Sequence, residues 1–400
     1  MEYKIQNDKT FSLCIALYYF LFVLDKAICL FFGETIIWVY FERIIVCLIL
    51  ATLVYKIFET KKSIIFFLVL ELIFGCFFLI SVIKDNFGDI NWISIYVKIV
   101  VINIPLAAGA YSIRDKSELI KILYSISIVS VPIMVVTAII GYSRFESTYD
   151  MNLGYLMAFS ALNILGHFVI SHKWQDILIV FILCLLILFV GSRGPFICLL
   201  SFSFFEVFLS KQFDYRKKLF FCMILCILIV VLLCLKNDLI QYLLRTSEEL
   251  GFGSRSLVFL MNGEAVTHDS GRIQIYSYYL DLIKNNPIWG YGVVGMWIAE
   301  GWYPHNIVLD IILSFGYPFG VALLLVILII AFKVIRCSDS YVGIASLIFL
   351  SYSMMLMVSS SYLMLWQFFV FIGLGVSCFG QNGKSNCMKF NSIKEEESGT

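Results

Sequence analysis

The sequence predicts an all-α, polytopic membrane bundle of about 12 transmembrane helices, with one long external loop between the ninth and tenth. Charged residues make up only 14% of the 400 residues, against about 25% in soluble domains. Hydrophobic residues make up 61% and the mean hydropathy is +0.92. So much apolar surface excludes a water-soluble enzyme. The net charge of +1 provides no basic field for nucleic acid.

Twelve apolar runs are candidate spans. A bilayer core needs about 20 apolar residues per helix, and a backbone in lipid must satisfy its own hydrogen bonds, so each run is interpreted as a helix. The runs are continuous rather than alternating, which excludes the strands of a membrane β-barrel. The predicted spans are 11–32, 36–57, 63–83, 93–113, 121–141, 151–171, 176–191, 194–210, 219–236, 305–332, 341–359 and 361–378.

The distribution of lysine and arginine predicts the orientation of these spans. With the N-terminus inside, 18 of these residues lie in inner loops and tails and 8 lie outside, as the positive-inside rule expects. None of the twelve cysteines lies in 237–304, so no disulfide framework is expected there. The predicted parts are a bundle of about nine spans (1–236), the long external loop (237–304), three C-terminal spans (305–378) and an inner tail (379–400).

The external loop has the polarity of an ordinary soluble segment and is too long to be a simple connection. We expect one short amphipathic helix over 237–250 and a second that begins near Gly271, capped by Ser270 or Asp269. Pro287 ends the second helix, and a glycine-rich turn follows. The apolar face of the second helix consists of Ile275, Tyr279, Leu282 and Ile283.

The tenth span opens with Tyr303-Pro304-His305-Asn306. Its free backbone N–H groups and the positive end of its helix dipole point outward, which predicts an anion-binding position. The aromatic residues of the loop, among them Trp289 and Trp302, suit the headgroup level of a membrane and could equally stack on sugar rings.

Three ionisable side chains on the outer side are suited to phosphate and proton chemistry. Arg193 lies in the short connection 191–195, Arg272 opens the second external helix and His305 opens the tenth span. Arginine offers a planar, permanently charged fork that matches phosphate oxygens, and histidine exchanges protons near neutral pH. Each of the three residues also has a purely structural interpretation. Arg193 could extend its side chain to the interface and cap a helix, Arg272 could be a solvated charge on the helix surface, and His305 could be an ordinary interfacial histidine.

Charges inside the spans indicate either pairing or function. Structural pairing is the preferred interpretation, because no second half of the chain repeats the pattern as a transporter's repeat would. A pair or triad of Glu42, Arg43 and Glu71 is expected between the second and third spans. Gly316 and Gly320 flank Pro318 and predict a kink with close helix approach. The charges in question are Asp25, Lys26, Glu42, Arg43, Glu71 and Lys98.

Three short motifs follow one another between residues 191 and 309. They are Gly191-Ser192-Arg193-Gly194, then Ser270-Gly271-Arg272 with Asn286-Pro287-Ile288-Trp289-Gly290-Tyr291-Gly292, then His305-Asn306-Ile307-Val308-Leu309. In this order, with the long external loop before the tenth span, they resemble the O-antigen polymerase and ligase superfamily. The resemblance covers roughly residues 176–330. It implies a multi-pass enzyme of the bacterial inner membrane with its active site facing the periplasm.

The resemblance also implies a reaction and its residues. The expected enzyme is an O-antigen, or related surface-polysaccharide, polymerase that joins undecaprenyl-pyrophosphate-linked oligosaccharide repeat units without metal or other cofactor. Arg193 and Arg272 would neutralise the leaving pyrophosphate, and His305 would act as base on the acceptor or as a further donor to the pyrophosphate. The implied substrate-binding residues are Asn306, Tyr303, Trp302, Ser192 and Gly292.

The implied partners are the lipid-linked oligosaccharide, membrane lipid and a chain-length regulator protein, with no nucleic acid. Two other functions stay open. A ligase would use the same site to transfer the glycan to lipid A core. A flippase or transporter of lipid-linked oligosaccharide would need charges along a midplane cavity and internal repeats.

Overall fold

The computed structural model describes most of the predicted bundle and part of the external segment. Within the described ranges the chain is helical and contains no strand. The described residues are 2–33, 35–84, 91–145, 150–190, 194–209, 241–242, 244–245, 261, 272–293, 303–337 and 341–381.

The helices follow the predicted spans closely. The first half of the chain forms α1 (Glu2–Phe32), α2 (Ile36–Phe58), α3 (Lys61–Lys84), α4 (Asn91–Lys98), α5 (Ile104–Ser112), α6 (Lys116–Phe145), α7 (Met151–Ser171), α8 (Trp174–Phe189) and α9 (Gly194–Phe204). The second half forms α10 (Arg272–Asn285), α11 (Ile307–Arg336), α12 (Tyr341–Ser353) and α13 (Trp366–Ser377).

Among the described residues, 7 helical segments are long and apolar enough to cross a membrane. Shorter apolar helices cover Trp174–Phe189, Gly194–Val207, Tyr341–Met357 and Trp366–Ser377. The chain is therefore a helical membrane protein. The predicted ninth span (219–236) and the predicted helix over 237–250 lie largely or wholly outside the described residues, so the count of twelve spans stays a prediction.

Several predicted spans are not continuous α-helices, among them 93–113 and 361–378. The span expected over 93–113 contains a π-helical stretch, Ile99–Asn103, between α4 and α5. The span expected over 361–378 begins as a helix only at Trp366. Residues 358–365 are not helical, and Ser360 adopts a left-handed φ of 62°. This part of the backbone is buried in protein, which is where membrane proteins tolerate irregular chain.

The core of the bundle surrounds α7, α12 and α13. Phe159 of α7 packs edge-to-face against Tyr352 and Trp366, with ring centroids 5.0 and 5.9 Å away. By contrast, α3 and α11 expose large apolar side chains such as Leu72 (67%) and Leu328 (63%). Exposed apolar faces of this kind suit contact with lipid.

The charges inside the first spans are only partly paired as predicted. The Lys26 ammonium lies 2.6 Å from the Asp150 carboxylate at the start of α7. The indole N–H of Trp38 donates to Asp25 over 2.9 Å. Pairing is therefore confirmed for Lys26. The expected triad of Glu42, Arg43 and Glu71 is wrong, because no ion pair joins these three described residues and Arg43 is exposed.

The kink predicted in the tenth span is present in α11. Gly316 leaves the helical region with φ 72° and ψ 174°, and Pro318 has no N–H to donate. The carbonyls of Leu313 and Ser314 therefore lose their partners within the helix. They accept instead from the backbone N–H groups of Tyr291 (2.8 Å) and Gly292 (2.9 Å).

The same turn is also bonded to α3. The N–H of Val293 donates to the carbonyl of Phe77 over 3.2 Å, and the hydroxyl of Ser81 donates to the carbonyl of Val293 over 2.6 Å. Tyr317, beyond the kink, donates its N–H to the carbonyl of Pro287 over 2.7 Å. We call residues 287–293 the docking turn, because it holds the external segment on α3 and α11.

Gly292→Ala should destabilise the fold. Its φ is +81°, and an added Cβ would lie 2.2 Å from Ser81 Oγ and 2.6 Å from the Phe77 carbonyl oxygen. The left-handed backbone alone costs an alanine about 1–2 kcal/mol. We expect the thermal unfolding midpoint of the purified protein in detergent to fall by about 5 °C or more.

Gly75→Ala in α3 is the matched control, since its added Cβ would meet Tyr96 Oη at an ordinary 3.6 Å. An equal midpoint for the two variants would show that the docking turn is not required for the fold.

Candidate functional site

The packing of α10 on α11 brings Arg272 close to His305. Tyr279 and Ile283 of α10 are buried against Leu313 of α11, with Ile275, Leu282, Leu309 and Ile312 packed around them. This confirms the predicted apolar face of the external helix. The charge of Arg272, in the first turn of α10, acts on His305 at the start of α11.

The backbone before α11 is built around a strained histidine. His305 has a left-handed φ of 54°, a conformation that non-glycine residues rarely adopt and that often occurs at functional sites. The ring of Tyr303 lies 4.3 Å from the ring of His305, centroid to centroid. His305 and Tyr303 precede the apolar helix Ile307–Arg336 and lie outside the membrane span.

Asn306 is the N-cap of α11. Its side-chain carbonyl oxygen accepts from the N–H groups of Val308 (2.9 Å) and Leu309 (3.4 Å), as asparagine does at helix starts. These are two of the amides that were expected to face an anion. The predicted anion position at this helix start is therefore partly filled by the protein itself.

Burial and nearby charges shift the pKa values of His305 and Tyr303. Burial, and next the positive charge of Arg272, lower the pKa of His305 below its usual value of 6.5. The ring is therefore neutral at pH 7 and can accept a proton. Burial, and next the charge of Asp310, raise the pKa of Tyr303 above 10.0, so its phenol stays a donor at neutral pH.

Asp310, close to the histidine in the sequence, belongs to none of the motifs found in the sequence. It lies in the first turn of α11 with 3% of its surface exposed, and its Oδ2 accepts from the hydroxyl of Ser361 over 2.5 Å. An acidic residue inside the predicted span 305–332 is itself a signal of function or pairing. The rule that drew attention to Glu71 would have found it.

Three of the predicted site residues, Arg193, Ser192 and Trp302, lie outside the described residues. Gly194, which follows Arg193 in the sequence, is described. An added Cβ on Gly194 would lie 2.1 Å from the hydroxyl of Tyr155, so α9 starts against α7. That Arg193 lies near Arg272 and His305 stays a prediction.

The segment 358–365 contacts the starts of two helices, α7 and α11. The hydroxyl of Ser359 contacts the sulfur of Met151, in the first turn of α7, at 3.5 Å, and Ser361 of the same segment bonds Asp310. The start of α7 and the start of α11 therefore both contact the segment 358–365.

Gly292 and Trp289 have structural roles in the docking turn. Gly292 is buried, and its N–H binds Ser314; its implied role in substrate binding stays a prediction. Trp289 stacks on Phe319 of α11 with ring centroids 5.7 Å apart and is 53% exposed. This position suits the headgroup level that the sequence predicted for the tryptophans.

The described residues contain no group of three or more histidine, cysteine, aspartate or glutamate side chains arranged to hold a metal ion. The neighbours of His305 that act on its ring are Arg272 and Tyr303.

Comparison with known families identifies the segment that carries this site. Residues 178–325 match the O-antigen ligase family model. The matched segment runs from α8 into α11, covers a little over a third of the chain and contains Arg193, Arg272 and His305. It confirms the resemblance to the O-antigen polymerase and ligase superfamily. No curated protein and no solved structure matches the chain.

The depressed pKa of His305 can be tested without any substrate. Diethyl pyrocarbonate reacts with neutral imidazole, and peptide mapping reports the modification of each histidine separately. We expect the modification of His305 to reach half its maximal rate at a pH below 6.5. Arg272→Gln removes the positive charge and should move that midpoint upward.

Lys284→Gln is the control, since Lys284 is an exposed cation on the same helix α10, paired with Asp281 over 2.7 Å. A midpoint that is identical in wild type and Arg272→Gln would contradict the electrostatic contact between Arg272 and His305.

Proposed function

We propose that this protein is a glycosyltransferase of the O-antigen polymerase type, which joins undecaprenyl-pyrophosphate-linked oligosaccharide repeat units at the periplasmic face of the inner membrane. The observation that carries the proposal is the packing of α10 on α11, which places the charge of Arg272 near a half-buried His305 at the start of α11. Both residues lie in the segment that matches the O-antigen ligase family.

The proposed reaction is a substitution at the anomeric carbon of the donor sugar. A hydroxyl oxygen of the acceptor repeat unit forms the new C–O bond as the bond between the anomeric carbon and the pyrophosphate breaks. The electron pair of the broken bond leaves with undecaprenyl pyrophosphate, and the hydroxyl proton goes to a base. The energy comes from the lipid pyrophosphate, so no nucleotide is consumed.

The site residues divide into two roles in this proposal. Arg272, together with Arg193, meets the negative charge that grows on the leaving pyrophosphate, as fixed cationic donors do in phosphate chemistry. A neutral His305 is suited to accept the proton of the acceptor hydroxyl. This supports the base among the two roles that the sequence left open for His305.

Loss of either arginine or of His305 should abolish the formation of long polysaccharide chains. Removal of one preorganised donor costs about 10²–10³-fold in rate. We therefore expect Arg272→Ala, Arg193→Ala and His305→Ala to stop ladder formation from purified lipid-linked repeat units while protein levels in the membrane stay normal. The measurement is the polymer length distribution after a fixed reaction time.

Lys284→Ala is the matched control, because it removes an exposed cation from the same helix as Arg272. A wild-type ladder from Arg272→Ala or His305→Ala would reject the assigned roles.

An O-antigen ligase is the second candidate, because the matching family carries that description. Lipid-linked repeat units alone separate the two functions. A polymerase lengthens them into a ladder, whereas a ligase leaves them unchanged until lipid A core is added. If the substrate instead crosses vesicle membranes and forms neither a polymer nor a glycan on lipid A core, the result would favour the transporter alternative.

The proposed orientation predicts which side chains an impermeant reagent reaches. Lys284 and Lys121 are both exposed in the structure, at positions predicted to lie outside and inside respectively. In a cysteine-free background, we expect Lys284→Cys to react with a membrane-impermeant maleimide in intact spheroplasts. Lys121→Cys should react only after the membrane is opened. The reverse pattern would place Arg272 and His305 in the cytosol and reject the periplasmic site.

A further inference from the structure

We propose that an apolar strip on α10 and the docking turn binds the polyprenyl chain of the lipid-linked donor and leads it from the membrane to Arg272. The apolar strip consists of Ile273, Tyr276, Leu280, Ile288 and Trp289. The inference rests on the proposed function and assigns a binding surface to the apolar part of that substrate.

Three different faces follow one another around α10. Tyr279 and Ile283 form the face that is buried against α11. Tyr276 and Leu280 lie beside that face, in a row of residues four apart that begins with Arg272 and therefore runs along one side of the helix. The remaining flank is polar and consists of Gln274, Ser277, Asp281 and Asn285. The helix thus has a second apolar surface next to its buried face, with a cation at one end.

This second surface is exposed. Ile273 is 70% exposed and Leu280 is 42% exposed, and more than half of the surface of Ile288 and Trp289 is accessible. Single exposed apolar side chains are ordinary on a protein surface, whereas a row of them indicates an interaction surface. The arginine at the head of the row suits a ligand that combines an apolar chain with an anionic group.

The cation within the row does not interrupt it. Lys284 follows Leu280 by four residues, and its ammonium pairs with Asp281 on the polar flank over 2.7 Å. The apolar stem of Lys284 is therefore left to continue the row towards the docking turn.

The other end of the apolar strip joins the lipid-facing surface of α11. The Trp289 ring stacks on Phe319 with centroids 5.7 Å apart, and the Tyr317 N–H donates to the Pro287 carbonyl over 2.7 Å. Exposed apolar side chains continue along α11 beyond Phe319 as Val321, Leu325, Leu328 and Phe332. This continuity identifies an apolar chain that comes from the bilayer as the occupant of the strip.

The length of α11 explains why a lipid-linked donor needs such a surface. From Gly316 to Arg336 the helix has about 20 residues and measures about 30 Å, which is the thickness of a hydrocarbon core. With Arg336 at the inner boundary, as the distribution of cations predicts, the outer boundary lies at the break and the docking turn. Ile307 then lies up to about 14 Å beyond the hydrocarbon.

Arg272 lies on the same outer part of the molecule, because α10 ends beside the break and packs on α11 before it. A donor whose pyrophosphate reaches Arg272 must draw part of its chain out of the hydrocarbon, and each methylene exposed to water costs free energy. The apolar strip covers that part of the chain.

Leu280→Gln tests the strip through the Michaelis constant of the ladder reaction in proteoliposomes. The two donors are repeat units on undecaprenyl pyrophosphate and on dimethylallyl pyrophosphate, whose single isoprene unit is too short to reach Leu280 from Arg272. We expect the KM for the long donor to rise about 10-fold and the KM for the short donor to stay unchanged.

Ser277→Gln is the matched control, because Ser277 is exposed on the polar flank of the same helix; both KM values should equal those of the wild type. If Leu280→Gln does not fold, Ile273→Gln replaces it at a more exposed position of the strip. An unchanged KM for the long donor, or an equal rise for both donors, would overturn the proposal.

A labelling experiment identifies the occupant without catalysis. In a cysteine-free background, Leu280→Cys in proteoliposomes should react with a water-soluble maleimide, because it lies about 10 Å along α10 from the docking turn. Saturating undecaprenyl pyrophosphate should block this reaction, and dimethylallyl pyrophosphate should not. Ser277→Cys should react equally in all three conditions.

Two labelling results would reject the strip. A Leu280→Cys that is unreactive before any donor lipid is added would show that ordinary membrane lipid covers this surface, and labelling that undecaprenyl pyrophosphate leaves unchanged would show that the chain does not bind there. The two levels of inference fail differently. A wild type that protects Leu280→Cys but makes no polymer rejects the proposed reaction, whereas an active wild type without protection rejects only the apolar strip.

Discussion

A broken helix determines the geometry of the site. The break at Gly316 and Pro318 leaves the carbonyls of Leu313 and Ser314 without partners inside α11, and an unsatisfied carbonyl in apolar surroundings costs several kcal/mol. The docking turn supplies those partners. Since this turn directly follows α10, the same bonds hold α10 on α11 and bring Arg272 near His305. A straight α11 would offer the external segment no backbone acceptors.

The electrostatics of the site follow from that placement. Burial and the nearby positive charge of Arg272 both disfavour a positive charge on the half-buried imidazole of His305, which lowers its pKa and favours the neutral ring.

Local patterns made part of this arrangement predictable. The apolar face of α10, its end before Pro287 and the kink in α11 depend on residues that are close together in the sequence. Helical periodicity predicts the first, and proline and glycine predict the other two. The bond between Ser361 and Asp310 and the bonds of the docking turn to the kink of α11 join distant parts of the chain, and no periodicity encodes them. The expected span 361–378 is helical only from Trp366 onward, and Ser361, before that helix, bonds Asp310 of α11.

The N-cap of α11 changes which groups can meet a diphosphate. Helix starts commonly bind phosphate through free amides, yet Asn306 already satisfies the amides of Val308 and Leu309. In the proposed reaction, a diphosphate at this position would contact side-chain cations rather than these two amides. Arginine suits that task, because its planar guanidinium makes two parallel charge-assisted bonds to phosphate oxygens and stays charged. The capped helix start is thus a reason for the site to use arginine.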